Sequence, residues 1–416
     1  MPEPAALATR TPGPLRTRIA LLLFGEFAIW GLWFVSLGSW LGATLHFSGP
    51  QIGMIYGTLA LAGLVTPMLA GAVADRLARS ERMLALLHGV GGLLLLLAAR
   101  QDSFAALYAA ILAYALCYLP TISLAASLAM RHLVTPAREY PPLRTLGTIG
   151  WIIAGLVVGA LGLELTPTPM QLAGYASLVF AAYCLTLPAT PPLRRDAPRS
   201  ATTLLGLDAL SLMRDPLFAL FVCASIVLSV PNQFYNAFAA LYLTDLAIPH
   251  PAMLLTLGQV TEIAVLLLLP RLYRRIGSRR VLLVGAAAWT VRTILFSAGG
   301  VGNLPAIYAG ILLHGVAYGC IYVAGQLMVH ERAPAEMRAS AQGFMGLVTM
   351  GLGNLGGAWI AGRAVARYTA TDLTHDWSAI WLVAAAVSTV AMVGVMLSHR
   401  ISDEPMPLSP RGSHSL

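Results

Sequence analysis

Arg144, Thr148 and Trp151 lie at i, i+4 and i+7 in the stretch Leu143-Arg144-Thr-Leu-Gly-Thr148-Ile-Gly-Trp151, which is one face of a helix. That face offers a cation, a hydroxyl and an aromatic plate, one above the other. Farther on, Pro231-Asn232-Gln233-Phe-Tyr235-Asn236 carries amides at Gln233 and Asn236, spaced i, i+3. Gln259-Val-Thr-Glu262 repeats that spacing with an amide and a carboxylate. An amide presents donor and acceptor together, which suits the N–H and C=O edges of heterocycles and the hydroxyls of sugars. Glu262 can also take up and release a proton. His314, Tyr318, Tyr322 and Gln326 follow one another at i+4, and Glu26, Trp30 and Trp33 occupy adjacent turns near the start. Plainer roles exist for each. Arg144 can snorkel to an interface, amides can bond between helices, and an aromatic stripe with one histidine can be packing. Arg292 reads as structural, in need of an acidic or carbonyl partner. No His/Cys cluster has metal-ligand spacing, and no nucleophile–base set marks an enzyme.

All of these residues sit in runs too apolar for a soluble chain. Of the 416 residues, 57% are hydrophobic and 11% charged, with a mean hydropathy of +0.74. Soluble domains carry about 25% charged residues. A soluble enzyme, a disordered scaffold and a nucleic-acid-binding domain are thereby excluded. About 20 apolar residues cross a bilayer as helix, and twelve such runs are present: 19–42, 52–74, 82–99, 104–130, 144–163, 171–188, 216–244, 252–270, 281–299, 304–328, 341–362 and 377–398. The runs are continuous rather than alternating, so they predict helices, not strands. Cys117, Cys184, Cys223 and Cys320 sit singly inside such runs and read as buried free thiols. The first run is too long for a signal peptide and reads as an uncleaved span.

Charge fixes the expected topology. All 26 basic residues are arginine, and 21 of them fall on one side of the spans, three (Arg100, Arg363 and Arg367) on the other. Positive residues mark the cytoplasmic side, so both termini are expected in the cytoplasm. Arg144 and Arg292 are left inside spans. The stretch 189–215, with Pro191, Pro192, Arg194, Arg195, Pro198 and Arg199, divides the chain near its centre. The expected organisation is a cytoplasmic tail over 1–18, a six-helix bundle over 19–188, a linker over 189–215, a second bundle over 216–398 and a tail over 399–416. Two related halves are a mark of secondary transporters. Gly71-Ala-Val-Ala-Asp75-Arg76, between the second and third runs, resembles the G-x-x-x-D-R loop signature of the major facilitator superfamily.

From about Phe24 to about Arg400 the chain also resembles the nucleoside:proton symporters of that superfamily. The resemblance is carried by I-W-G-L-W-F-V-S-L-G-S-W-L (29–41), Y-L-P-T (118–121) and P-P-L-R-T-L-G-T-I-G-W (141–151). It continues through T-T-L-L-G-L-D-A (202–209), Q-x-x-N (233–236), Q-V-T-E (259–262) and R-A-S-A-Q-G (338–343). It implies an all-α integral membrane protein of twelve transmembrane helices in two pseudo-symmetric bundles, set in the cell inner membrane. The implied activity is nucleoside import by alternating access, coupled to protons, with no other cofactor, no metal and no nucleic-acid partner. A monomer in membrane lipid is expected. Arg144, Thr148, Trp151, Gln233, Asn236, Gln259 and Glu262 fall where the family binds nucleoside, and Tyr318 matches an aromatic position. Two departures stand out. Gly319 occupies the place of the family's aspartate, and Ala125–Ala126 replaces an expected asparagine. Glu262, Glu26 and His314 are then the candidates for carrying the proton. The alternatives are another polar solute or a drug as cargo, or nucleoside movement without proton coupling.

Overall fold

The computed structural model describes residues 10–76, 79–191, 207–334 and 337–398. The expected tails beyond these bounds and most of the 189–215 linker lie outside the described residues, as do the side chains of the Gly71–Arg76 motif. The described chain folds into twelve helical rods. The first six are α1 Gly13–Thr44, α2 Gly49–Arg76, α3 Ser80–Ala98, α4 Phe104–His132, α5 Pro136–Ala160 and α6 Thr168–Cys184. The second six are α7 Pro216–Asp245, α8 Pro251–Ile276, α9 Ser278–Ala298, α10 Val301–Val329, α11 Ser340–Arg367 and α12 Trp377–Leu397. Ten are long and apolar enough to cross a membrane by themselves.

Packing repeats with an offset of six helices. In the first half α1 packs on α5, α2 on α4 and α3 on α6; in the second, α7 packs on α11, α8 on α10 and α9 on α12. With no hydrophobic drive between helices in lipid, such contacts rest on close fit. Trp33 fills the interior of the first half, and Trp289 and Trp381 that of the second. The two halves meet through α2 with α11, α5 with α8, and α1 with α7.

This meeting is a seam of glycines at the end opposite the chain termini, the distal end. A Cβ on Gly49 would come 2.6 Å from the Gly362 carbonyl oxygen. One on Gly53 would run into the Ala358 carbonyl, and one on Gly38 into that of Ala237. On the α5–α8 side, Gly155 faces Thr256 and Gly159 faces Met253. Among the described residues, the hydrogen bonds between the halves lie here too: Thr244 Oγ1 donates to Ser39 Oγ at 3.0 Å, and the His250 ring bonds the Gly159 carbonyl at 2.6 Å.

The helices start earlier than the apolar runs suggest. α1 begins at Gly13 and α5 at Pro136, each with proline in its first turn, where the missing N–H is no loss. Glu139 then closes the start of α5. Its carboxylate accepts from the Thr135 amide (3.0 Å) and from the Thr11 amide ahead of α1 (3.2 Å). Arg144 therefore stands more than two turns inside α5 rather than at its mouth. The chain after α6 is also held. Thr190 is buried, and its amide donates to Glu81 at 2.8 Å. Of the four free cysteines, Cys184 and Cys320 are buried and Cys117 half-buried, but Cys223 is exposed on α7, contrary to expectation.

Asp215 starts the second half. Its Oδ1 accepts from the amides of Leu217 (2.9 Å) and Phe218 (3.1 Å), and its Oδ2 pairs with the buried Arg332 guanidinium. Breaking a buried pair and leaving one charge alone costs about 3–5 kcal/mol. Asp215→Asn, which keeps the size and can keep the cap, is expected to lower the unfolding temperature in detergent by several degrees. Asp215→Ala, which also loses the cap, is expected to lower it further.

Candidate functional site

Backbone approach decides where the candidate residues stand. Gly155 against Thr256 fixes the level at which α5 meets the antiparallel α8. One turn toward the terminal end, Trp151 is level with Gln259; two turns along, Thr148 is level with Glu262. Within the second half, a Cβ on Gly315 would overlap the backbone of Thr261 and Glu262, so α8 and α10 touch main chain to main chain. The Gly315 amide donates to Thr261 Oγ1 at 3.3 Å. That contact brings His314 and Tyr318 of α10 alongside Glu262.

The first half contributes an aromatic wall. The Trp151 ring meets Trp30 edge-on with centroids 5.2 Å apart, and Phe34 at 5.8 Å. Trp30 in turn contacts Tyr118 at 5.8 Å. The indole nitrogens of Trp30 and Trp151 are buried without a partner. Arg144 lies with its guanidinium carbon 3.9 Å from the Phe27 ring centroid, and Thr148 is half-buried between it and Trp151. Arg144 is close enough to Glu262 for the two charges to interact across the halves.

The second half contributes a ladder of rings and the amides. Tyr235, His314 and Tyr318 stack in order, at 5.1 Å and 5.6 Å, and Tyr322 follows at 4.6 Å. Gln233 is buried with its Oε1 unpartnered, whereas Asn236 and Gln259 are half-buried. Pro231 interrupts the α7 ladder one turn before Asn236. A π-helical turn over Gly319–Val323 directly follows Tyr318; such turns recur at functional sites.

Arg292 and His314 hold Glu262 from behind. Arg292 is fully buried against the Tyr235 ring face at 3.6 Å; its Nε donates to the Gly310 carbonyl at 3.0 Å. One of its terminal nitrogens is 3.1 Å from His314 Nδ1. A guanidinium only donates, so Nδ1 accepts, and the neutral ring carries its hydrogen on Nε2. That nitrogen faces Glu262 Oε2 at 3.7 Å. The expected carbonyl partner of Arg292 is thus found, together with a histidine that spacing alone did not connect to it. Gly319 is packed as well: a Cβ there would come 2.9 Å from Val265 Cγ1, so this chain has filled the space an aspartate would need.

Glu26 is elsewhere. It is wholly buried inside the first half, bonded to His88 and Thr121 rather than facing the second half. Among the described residues no group of His, Cys, Asp and Glu is arranged to hold a metal ion.

The aromatic wall and the amide–carboxylate set agree with one family, whose sequence profile, Nucleoside H+ symporter, matches residues 14–404. The chain belongs to that family. It is 35% identical to the Escherichia coli K12 protein YegT over 93% of this chain and 94% of that one. It is also 32% identical to the xanthosine permease of the same organism, over 95% and 98%. The crystal structure of nucleoside transporter NupG superposes with a TM-score of 0.85 at 29% identity, covering 93% of this chain and all (100%) of that one. Membership makes the protein a multi-pass membrane transporter that couples nucleosides to protons, and not an enzyme.

Proposed function

We propose that the chain imports nucleosides through a site shared by its two halves, with the base between the aromatic groups of Trp151 and Tyr318. The observation that carries this reading is a tryptophan wall on α1 and α5 and a tyrosine–histidine ladder on α7 and α10, in two halves that meet through α5 and α8. Every nucleobase has a π face, so stacking serves all of them, while amides and a carboxylate select among ring edges and ribose hydroxyls. Gln233, with its free carbonyl oxygen, is the proposed reader of the base. Asn236, Gln259 and Glu262 are proposed for the remaining polar edges, and Thr148 and Arg144 for the ribose end.

Proton coupling at this site falls to Glu262. A proton on it removes a charge before the halves close around the substrate, which lowers the cost of closure. His314 serves as its positioning partner, because Arg292 occupies the nitrogen that a second proton would need. The arginine bias supports both termini in the cytoplasm of an inner-membrane protein. The distal seam then faces the outside, and the arrangement described is the one that delivers cargo inward. Each half supplies part of the site within a single chain, which supports action as a monomer.

The test is uptake of labelled uridine and adenosine into cells lacking their own nucleoside permeases, competed with free bases, sugars and nucleotides. Nucleosides should compete and nucleotides should not. Base–aromatic stacking is worth about 1–3 kcal/mol, so Trp151→Ala should weaken binding of purine and pyrimidine nucleosides alike, by roughly tenfold or more. Gln233→Leu should instead change their order of preference. An unchanged competition profile in both variants would put the site elsewhere.

A further inference from the structure

The first half holds a second titratable pair that the nucleoside site does not use. Glu26 of α1 and His88 of α3 are 0% and 1% exposed, with Oε2 and Nε2 3.1 Å apart. Both atoms are acceptors unless a proton lies between them, so that contact holds one. The other ring nitrogen, Nδ1, lies 3.1 Å from Ser177 Oγ on α6, while that hydroxyl donates to the His88 carbonyl at 3.0 Å. Serine has a single hydrogen. With it given to the carbonyl, Oγ can only accept, and Nδ1 must carry a hydrogen of its own.

This arrangement of heavy atoms accommodates a loaded state, with one proton on Nδ1 and one shared between Nε2 and Oε2. The cluster can also give one up without moving a heavy atom. The Nδ1 proton leaves, the Ser177 hydroxyl turns its hydrogen from the carbonyl to Nδ1, and the remaining proton settles on Nε2 against the Glu26 carboxylate. Thr121 bonds Glu26 Oε1 in either state.

The cluster also touches the base-binding wall. The Tyr118 hydroxyl donates to the Glu26 carbonyl at 2.6 Å, and the same ring packs on Trp30, which contacts Trp151. Other titratable or charged groups around the pair are few. α4 brings Tyr114, Tyr118 and Cys117, α6 brings Tyr183 and Cys184, and α5 brings Arg144, held on the Phe27 ring. Arg18 lies two turns back on α1, bonded to the Thr186 carbonyl.

We propose that Glu26 and His88 form a second proton-binding site, behind the aromatic wall of the first half, which takes up and releases one coupling proton in each transport cycle. The inference rests on the reading of the chain as a nucleoside:proton symporter. Full burial confines proton exchange to the part of the cycle in which α1 shifts against α3, α4 and α6.

The experiment uses the purified full chain in liposomes. Nucleoside counterflow is measured without a pH gradient, and the proton-to-nucleoside ratio is measured from the reversal potential. Glu26→Gln mimics the protonated acid and can still donate to His88. It should retain counterflow while the ratio falls by one proton, and His88→Gln should do the same. An unchanged ratio in Glu26→Gln would overturn the proposal. Should that variant fail to fold, infrared difference spectra of the Glu262→Gln protein supply the readout. A carboxyl or imidazolium band of this pair lost as pH rises supports the proposal, and the absence of both at every pH overturns it. Absence of counterflow in the unmodified protein would sink the symporter reading instead.

Discussion

Glu262→Gln is expected to uncouple nucleoside from proton at the shared site. Its carboxylate lies 3.7 Å from His314 Nε2, and α8, which carries it, packs on α5, the helix of Arg144. Glutamine keeps the shape and one acceptor but has no proton to release and no charge to answer Arg144. Hydrogen bonds to charged groups are worth about 1.5–3 kcal/mol, so nucleoside affinity should fall roughly ten- to a hundredfold. The larger effect is on the driving force. Uptake by Glu262→Gln should depend less steeply on external pH than uptake by the unmodified protein and should respond less to a protonophore, because one coupling proton is lost while the pair in the first half keeps its own. Initial uptake rates at graded external pH, with and without protonophore, measure this. A pH profile equal to that of the unmodified protein would remove Glu262 as the carrier.

Gly53→Val is expected to prevent the distal seam from closing. The α2 and α11 backbones approach so closely there that even a Cβ would meet the Ala358 carbonyl, and a carbonyl cannot swing aside as a flexible side chain can. Overpacking of a fitted contact costs about 1–3 kcal/mol, and 3 kcal/mol shifts a two-state ratio more than a hundredfold. Molecules should gather in the state open at the distal end. Net uptake should nearly vanish while nucleoside can still bind from that side. Labelling of a cysteine placed at Gln51, at the distal start of α2, should rise in the Gly53→Val background. Equal labelling with and without the substitution would mean that the seam is not the gate.

The residues that a membrane makes expensive were legible in the sequence, because cost in lipid is a property of the side chain alone. Arg144, Gln233, Gln259 and Glu262 announce themselves that way, and the arginine bias and continuous apolar runs do the same for the helices. What remained hidden depends on pairs that only folding creates. Arg292 meets His314 across 22 residues of chain, and Glu26 meets His88 across 62. His88 lies in a run that reads as ordinary apolar helix. Ser177 and Thr121 look like any small hydroxyl in a span. α1 and α5 begin ahead of their apolar runs for a related reason. Their first turns are polar, closed by Glu139, and hydropathy registers composition rather than capping.

The carboxylates at the terminal end have a mechanical consequence. Glu139 ties the start of α1 to α5, Glu81 ties α3 to the chain after α6, and Asp215 ties α7 to Arg332 beyond α10. Each half is thus stapled at the end farthest from the glycine seam. Two stiff arms that touch at one end form a lever. A helix such as α2, with 28 residues, is about 42 Å long at 1.5 Å per residue. A slip of an ångström or two at the seam is then enough to swing the far mouth by several times as much.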